Sequence, residues 1–329
     1  MRKILITGGA GFIGFHLAYK LLDSDYQIDL IDDFSRGIHD RDLTALKNNK
    51  KVNLINANLL DTKIIDQCKN DYSYIYHLAA IIGVQNVVKS PLSVLEHNFV
   101  LLQNSLSIAT KQKDLRRFVF ASSSEVYGGT LHYHGLKFPT PENTPLTITE
   151  LSQPRTSYML SKVYGEAMCS YSSLPVTIMR PHNFYGPRMG MAHVIPELMK
   201  KVIDTDDGFI NVPSIEHKRT FCYIKDAVQL IQLLAENPKT LGETYNIGNE
   251  DEEITMGELA EKIIVLMGKN IKVNPLPPTV GSPRKRIPDI SKSNKIINYK
   301  KQYSLTEGLR RTLGWYSVNV LTRDSVYIG

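Results

Sequence analysis

Three cysteines in 329 residues, Cys68, Cys169 and Cys222, stand far apart and form no C-x-x-C pair. That excludes a disulfide framework and a zinc ribbon, and fits reduced thiols in a cytosolic protein. Long apolar runs are also missing, for none approaches the roughly eighteen residues that span a bilayer. Met1-Arg-Lys before Ile4-Leu-Ile looks like the start of a secretion signal, but Thr7-Gly8-Gly9 interrupts it after three apolar residues. The expectation is a cytoplasmic protein with no membrane partner. There is no repeat, low-complexity tract or coiled coil. No element interleaves aromatic and basic residues as a nucleic-acid reader does, so only the net charge of +6 supports that class. Metal-ligand spacing of His, Cys and carboxylates is absent as well, so no metal is expected.

What is present is ordinary for a globular chain: 42% hydrophobic and 22% charged residues, in a length that suits one large or two modest domains. Short β-prone runs at 3–7, 27–31, 51–56, 74–78, 118–121 and 176–180 alternate with helical stretches at 16–22, 62–68, 91–110 and 157–171. This alternation predicts an α/β fold, a doubly wound parallel sheet of Rossmann type covered on both faces. After Arg180 proline and glycine become frequent. A helix is expected over 194–203, a strand at 220–223 and a helix at 224–236 returning to the sheet, and a further strand at 245–248. Helices at 256–267 and 305–313 flank a loop, 274–289, holding five prolines. The reading is a dinucleotide domain over 1–180 with returning segments near 218–248, and a smaller interleaved substrate region over 181–217 and 249–329.

The first run leads into Thr7-Gly-Gly-Ala-Gly-Phe-Ile-Gly14. Gly8, Gly11 and Gly14 allow a tight turn, close approach of backbone to a pyrophosphate, and close helix–strand packing, with Phe12 and Ile13 opening the helix. Asp32 follows Gly14 by eighteen residues, at the end of the second run. An acid there accepts hydrogen bonds from a ribose 2′-hydroxyl and repels a 2′-phosphate, which favours NAD over NADP. Arg36 nearby keeps NADP as the lesser option. Asn58 and Leu59 after the third run, and Leu78, Ala79 and Ala80 after the fourth, complete the expected cofactor seat.

Phe120-Ala-Ser-Ser-Ser-Glu-Val-Tyr-Gly-Gly129 brings three hydroxyls and a carboxylate to the end of a buried run. Further on, Tyr158-Met-Leu-Ser-Lys162 follows the helix-start signals Pro154, Thr156 and Ser157, so Tyr158 and Lys162 lie one turn apart on a shared face. A tyrosine is a poor base at neutral pH, and lowering its pKa from 10 to about 7 requires about 4 kcal/mol. A lysine ammonium and a positively charged nicotinamide ring would supply it together.

With these stretches, DDFSRG (32–37), HLAA (77–80), RPHNFYGPRM (180–189), KRTFCYIKDA (218–227), YNIGN (245–249) and KRIPDI (285–290) make the chain similar, over almost its whole length, to the extended short-chain dehydrogenases/reductases of the nucleotide-sugar epimerase, dehydratase and decarboxylase type. The resemblance implies Tyr158 as catalytic base, Lys162 as the residue that lowers its pKa and binds the nicotinamide ribose, and Ser123 as the hydroxyl that orients the sugar C4-OH. It implies Ser124, Asn183, Arg188, Arg219 and Arg286 as contacts to sugar or diphosphate. The arginines suit diphosphate because a planar fork makes paired charge-assisted bonds. The partners implied are a nucleoside-diphosphate sugar and a second copy of the chain, paired through 91–110 and 157–171.

The shared first step in such enzymes gives a 4-ketone, whose fate separates the reactions. Glu125 suits follow-on chemistry at C5 or C6, dehydration or loss of CO₂, because the ketone acidifies C5–H and a nearby carboxylate can carry the proton. Simple 4-epimerases of the family usually lack this acid. Many dehydratases carry aspartate where Ser124 stands, whereas YGPRM and KRIPDI lean toward nucleotide-uronate decarboxylases. The residues leave open a capping role for Glu125, a simple 4-epimerase and a non-enzymatic NAD-sensing module. His182 and His193 are read as loop packing, with sugar hydrogen bonding as the alternative.

Overall fold

The computed structural model describes residues 2–279 and 281–321. Six strands, β1 (Arg2–Thr7), β2 (Tyr26–Asp32), β3 (Val52–Asn56), β4 (Tyr72–His77), β5 (Arg117–Ala121) and β6 (Val176–Pro181), with the edge strand Thr244–Ile247, form one sheet. Its order is Thr244–Ile247, β6, β5, β4, β1, β2, β3, and every pairing is parallel. The order reverses beside β1, and in such sheets ligands bind at the carboxyl ends of the strands near that reversal.

Alternation along each strand divides the core between two faces. Ile4, Ile6, Ile28, Leu30, Tyr74 and Tyr76 pack on one face with the helices Phe12–Leu21 and Ile224–Glu236. On the other, Leu5, Ile31, Ile75, Phe118 and Phe120 pack with the helices Pro91–Thr110 and Pro154–Tyr171. Strands buried on both faces explain the continuous apolar runs in the sequence.

One expectation is corrected. Residues 220–223 do not return to the sheet. Cys222–Tyr223 pairs with Phe184–Tyr185 in a separate ribbon, and Lys218–Arg219 lies between Ile254–Thr255 and Lys285–Arg286 in a three-stranded patch. The edge position beside β6 is filled instead by Thr244–Ile247. The proline-rich stretch is also more ordered than a loop, since Lys272–Leu276 pairs with Phe209–Pro213 along an edge that tolerates proline. The last helix runs over Leu305–Asn319, longer than expected. Among the described residues no helix is long and apolar enough to cross a membrane.

Candidate active site

The glycine turn leaves β1 at the carboxyl edge of the sheet. Gly8 has φ +70°, and a Cβ there would lie 2.9 Å from the Ala79 amide nitrogen. A Cβ on Gly14 would come within 2.2 Å of the Gly8 carbonyl oxygen, so the helix can start this close to the turn only without a side chain. Gly11 stands at the cap of that helix, which no side chain caps, and Phe12 and Ile13 are half-buried in its first turn. The Asp32 carboxylate accepts from the amides of Ala10 and Phe34, both at 2.9 Å. Burial raises its pKa, and those amide bonds pull the other way. The Leu78 amide donates to the Thr7 carbonyl, and the Ala79 amide to the Thr7 hydroxyl, which seats Leu78, Ala79 and half-buried Ala80 beside the turn. Asn58 is exposed at the mouth, whereas the Leu59 side chain is in the core, so Leu59 can meet a ligand only through its backbone. A bare helix end, close glycines and a carboxylate at the second strand fit a dinucleotide.

Ser123 caps a short helical turn, Ser124–Tyr127, its hydroxyl accepting from the Glu125 amide at 3.2 Å. The same hydroxyl is near enough to the Tyr158 phenol to lower its pKa, so the two side chains expected to act together are neighbours. Burial pushes the Tyr158 pKa up to about 12; the Ser123 hydroxyl and the charge of Arg36 oppose this, and the Glu125 charge adds to it. Lys162 is buried, and burial takes its pKa down to about 8. Its Nζ donates to the Ala121 carbonyl at 2.8 Å and stands 5.8 Å from the centre of the Tyr158 ring. An ammonium has three donors, so two remain for a ribose. The further lowering of the tyrosine pKa has to come from a cation that binds beside it.

Glu125 meets Arg286, whose Nη2 lies 2.6 Å from Oε1. The Arg286 charge holds the carboxyl below its usual range, with Arg155 and Arg219 adding to the effect, so Glu125 is ionised at neutral pH. Arg219 donates to the carbonyls of Lys218 at 2.8 Å and Pro283 at 2.6 Å, and burial takes its pKa down to about 10. Arg155 donates to the Gly281 carbonyl at 2.9 Å. Three guanidinia therefore surround one carboxylate beside the serine–tyrosine pair. Sequence reasoning missed Arg155, although its position three residues before Tyr158 places both on one helix face. Ser124 is buried next to this cluster.

Below the site a buried network fixes the strand ends. Arg180 on β6 makes a two-pronged pair with Glu166, at 2.9 and 2.6 Å, and Ser122 donates to the same carboxylate at 2.5 Å. Arg180 also donates to the Tyr127 hydroxyl at 2.7 Å, which donates in turn to Asn246 at 2.9 Å. His182 lies 3.1 Å from that same Asn246 oxygen, fully buried, and burial takes its pKa down to about 3. Its role here is packing.

Asn183, at φ +45°, donates to the Thr220 carbonyl at 2.9 Å and so ties the segment after β6 to the strands beyond. Arg188 sits where the loop after β6 meets the loop after β2. Its guanidinium is buried, pairs with Asp40 at 2.7 Å, donates to the Ile38 carbonyl at 3.1 Å and lies 3.9 Å from the Phe15 ring centre. A guanidinium can be buried only where acceptors surround it. Asp40 and Ile38 meet part of that need and tie two loops together, while Nη1 is buried with no hydrogen-bond partner among the described residues. Among the described residues no three His, Cys, Asp or Glu side chains gather as a metal site requires.

Comparisons with known proteins agree with this geometry. Residues 4–248 match the NAD dependent epimerase/dehydratase family. The UDP-N-acetyl-alpha-D-glucosaminuronate decarboxylase of Bacillus cytotoxicus is 32% identical, over 96% of this chain and 98% of its own. A UDP-glucuronic acid decarboxylase of Arabidopsis thaliana is 29% identical, over 98% of this chain and 71% of its own. Among solved structures, a mutant UDP-glucuronic acid 4-epimerase from Bacillus cereus, in complex with UDP-4-deoxy-4-fluoro-glucuronic acid and NAD, superposes with a TM-score of 0.83 at 27% identity, over 96% of this chain and 99% of that one. The glycine turn, the serine–tyrosine–lysine cluster and the family match lead to one conclusion: this chain belongs to the NAD dependent epimerase/dehydratase family, as an NAD-dependent enzyme of Rossmann-type fold.

Proposed function

We propose that the protein decarboxylates a nucleoside-diphosphate uronic acid, with UDP-linked uronates as the first candidates. The observation that carries this reading is the ionised Glu125 held among Arg286, Arg219 and Arg155, beside the Ser123–Tyr158 pair. Three cations against one anion leave a surplus of positive charge, which suits a sugar bearing its own carboxylate. The names of the two decarboxylase relatives support the same choice.

NAD⁺, when bound, takes the hydride from C4 and later returns it. Gly8, Gly11, Gly14 and Asp32 are the residues proposed to hold it, with Leu78, Ala79, Ala80, Asn58 and the Leu59 backbone around it. Ser123 orients the C4 hydroxyl, and Tyr158 removes its proton as the ketone forms. The 4-ketone lies β to the C6 carboxylate. The C5–C6 bond breaks, CO₂ leaves, and the electron pair passes through C5–C4 to the C4 oxygen. C5 then takes one proton from solvent through Glu125, whose ionised state suits a carrier rather than a stored acid. Tyr158 returns its proton to the C4 oxygen as the hydride comes back, so one proton is consumed and a pentose is formed. Asn183, Arg219 and Arg286 are proposed to face the sugar diphosphate, within a substrate region over 181–217 and 249–329. A homodimer is proposed through the helices Pro91–Thr110 and Pro154–Tyr171, where Leu92 and Tyr164 are exposed.

The test is a panel of nucleotide sugars incubated with the enzyme and NAD⁺ in D₂O, followed by NMR. A pentose with deuterium at C5 and released CO₂ is the expected result. A 4-epimer of a uronate with no solvent deuterium sinks the proposal in favour of epimerisation, the activity named for the Bacillus cereus structure. Bound NAD⁺ with no turnover of any sugar leaves a sensing module instead.

A further inference from the structure

Glu125 and Arg286 are 161 residues apart in sequence, yet their side chains meet at 2.6 Å. Long side chains at both ends would let that contact slip, so its geometry depends on how the two backbones are set against each other. Asn246, on the edge strand Thr244–Ile247, is fully buried and touches both segments. On the Glu125 side its Oδ1 accepts from the Tyr127 hydroxyl at 2.9 Å, and Tyr127 ends the same short turn. On the Arg286 side its Nδ2 donates to the Asp289 carbonyl at 3.2 Å and to the Thr140 carbonyl at 2.9 Å. Thr140 is itself zipped to that segment: its amide donates to the Ile287 carbonyl, and its carbonyl accepts from the Asp289 amide, both at 2.9 Å.

The surroundings force the orientation of this amide. Tyr127 accepts from Arg180 at 2.7 Å, so its own proton goes onward to Asn246 Oδ1. His182 Nε2 lies 3.1 Å from the same oxygen, so it carries the ring proton, and Nδ1 is left buried with no hydrogen-bond partner among the described residues. Two carbonyls face Nδ2, and reversing the amide would set its oxygen against both. Both lone pairs of the oxygen and both amide hydrogens are in use, and the backbone amide of Asn246 donates to Glu142 at 2.9 Å. A buried amide paired in this way holds one geometry, because each alternative strands a polar group in the core.

We infer that Asn246 is a positioning residue that sets the Glu125 turn and the Arg286 segment in register, and so fixes where the carboxylate and the guanidinium meet. Among the described residues it is hydrogen-bonded to neither of them, and it acts through Tyr127 on one side and through Thr140 and Asp289 on the other. The charges facing Glu125 are Arg286, Arg155 and Arg219, and the Tyr158 phenol is close enough to feel the carboxylate in turn. Loosening Asn246 displaces the nearest of these charges without removing any. Its effect on turnover rests on the proposed carrier role of Glu125, whereas the placement of the pair does not.

Asn246→Ser frees both segments, Tyr127→Phe frees the Glu125 side alone, and neither changes the charge of the protein at neutral pH. Ile28→Ala, in the sheet core, controls for lost stability. Glu125 is titrated by carboxyl-carbon NMR in the full-length protein, its signal assigned by its loss in Glu125→Gln. In both network variants the carboxyl should titrate closer to its ordinary 4.5 than in the parent, and in Ile28→Ala it should not move. Pentose formation should fall by about tenfold to a hundredfold, as misplacement by about 1 Å does, with cofactor reduction in a single turnover and KM within about threefold of the parent. A Glu125 titration unchanged in the network variants overturns the inference, whatever their melting temperatures, and so does an equal shift in Ile28→Ala. If Asn246→Ser does not fold, Tyr127→Phe carries the test alone. A shifted titration with pentose formation unchanged keeps the placement and refutes Glu125 as the proton carrier. A parent that makes no pentose from any sugar refutes only the proposed reaction, because the titration is read without turnover.

Discussion

Replacing Glu125 by glutamine separates chemistry from stability, because the structure assigns the two very different magnitudes. The Arg286–Glu125 side chains are 24% and 42% exposed. Pairs this open to solvent contribute about 0.2–1 kcal/mol to folding, and glutamine keeps one acceptor for Arg286. Stability should therefore change by less than about 1 kcal/mol. A positioned proton carrier is worth about 10²–10⁴ in rate, equivalent to about 3–5 kcal/mol of barrier. The assay follows pentose and CO₂ at steady state, the absorbance of reduced nicotinamide in a single turnover, and thermal melting. Glu125→Gln should form reduced cofactor at close to the parent rate yet deliver pentose at least about a hundredfold more slowly at steady state. Pentose formation within about threefold of the parent would refute the carrier role. Loss of cofactor reduction in parallel would show that Glu125 only positions the sugar. Acid melting gives a second check. Glu125 has a folded pKa below its ordinary 4.5, so it contributes stability above that value and loses it as the pH falls through the folded pKa. The parent's advantage over the variant should shrink as the pH drops below 4.5, and an advantage that grows in acid would contradict the arginine cluster.

Tyr158→Phe should leave the fold and NAD⁺ binding in place and cut turnover by about 10²–10⁴; turnover near the parent's would remove the tyrosine from the mechanism. In the parent, a cation bound beside Tyr158 should bring the ascending limb of kcat against pH well below 12, and a limb fixed near 12 would mean that it does not. Gly14→Ala puts a methyl 2.2 Å from the Gly8 oxygen, so NAD⁺ affinity should fall by more than about tenfold with a lower melting temperature. Unchanged NAD⁺ binding would place the dinucleotide elsewhere. Arg188→Ala leaves Asp40 without its buried partner and should cost about 3–5 kcal/mol of stability; a cost under about 1 kcal/mol, with UDP binding lost, would return Arg188 to the substrate.

The parallel sheet was legible because its strands are buried on both faces and read as unbroken apolar runs. The glycine turn and the Tyr158–Lys162 pair were legible because their spacing alone sets their geometry. Residues 220–223 were misplaced because a short apolar run does not say which neighbour it pairs with, and here Phe184–Tyr185 was closer than the sheet edge. The arginines were the hardest to read. Spacing puts Arg36, Arg155 and Arg188 on the right segments, but a long side chain can turn toward ligand or protein, and the nearest carboxylate decides. Asp40 took Arg188, while Glu125 became the centre of a cluster that included Arg155.

The Asp40–Arg188 strut also bears on how the reaction chamber opens. It joins the segment after β2 to the segment after β6, which is proposed to face the sugar, and Phe15 backs the joint from the first helix. Loops joined by a buried ion pair move as one body, because parting them strands a charge in the core. The loop after β2 and the loop after β6 are therefore coupled at this corner. Under the reaction proposed above, in which a hydride returns to the sugar it left, such a linkage would hold the ketosugar and the reduced cofactor on the same side of one joined corner.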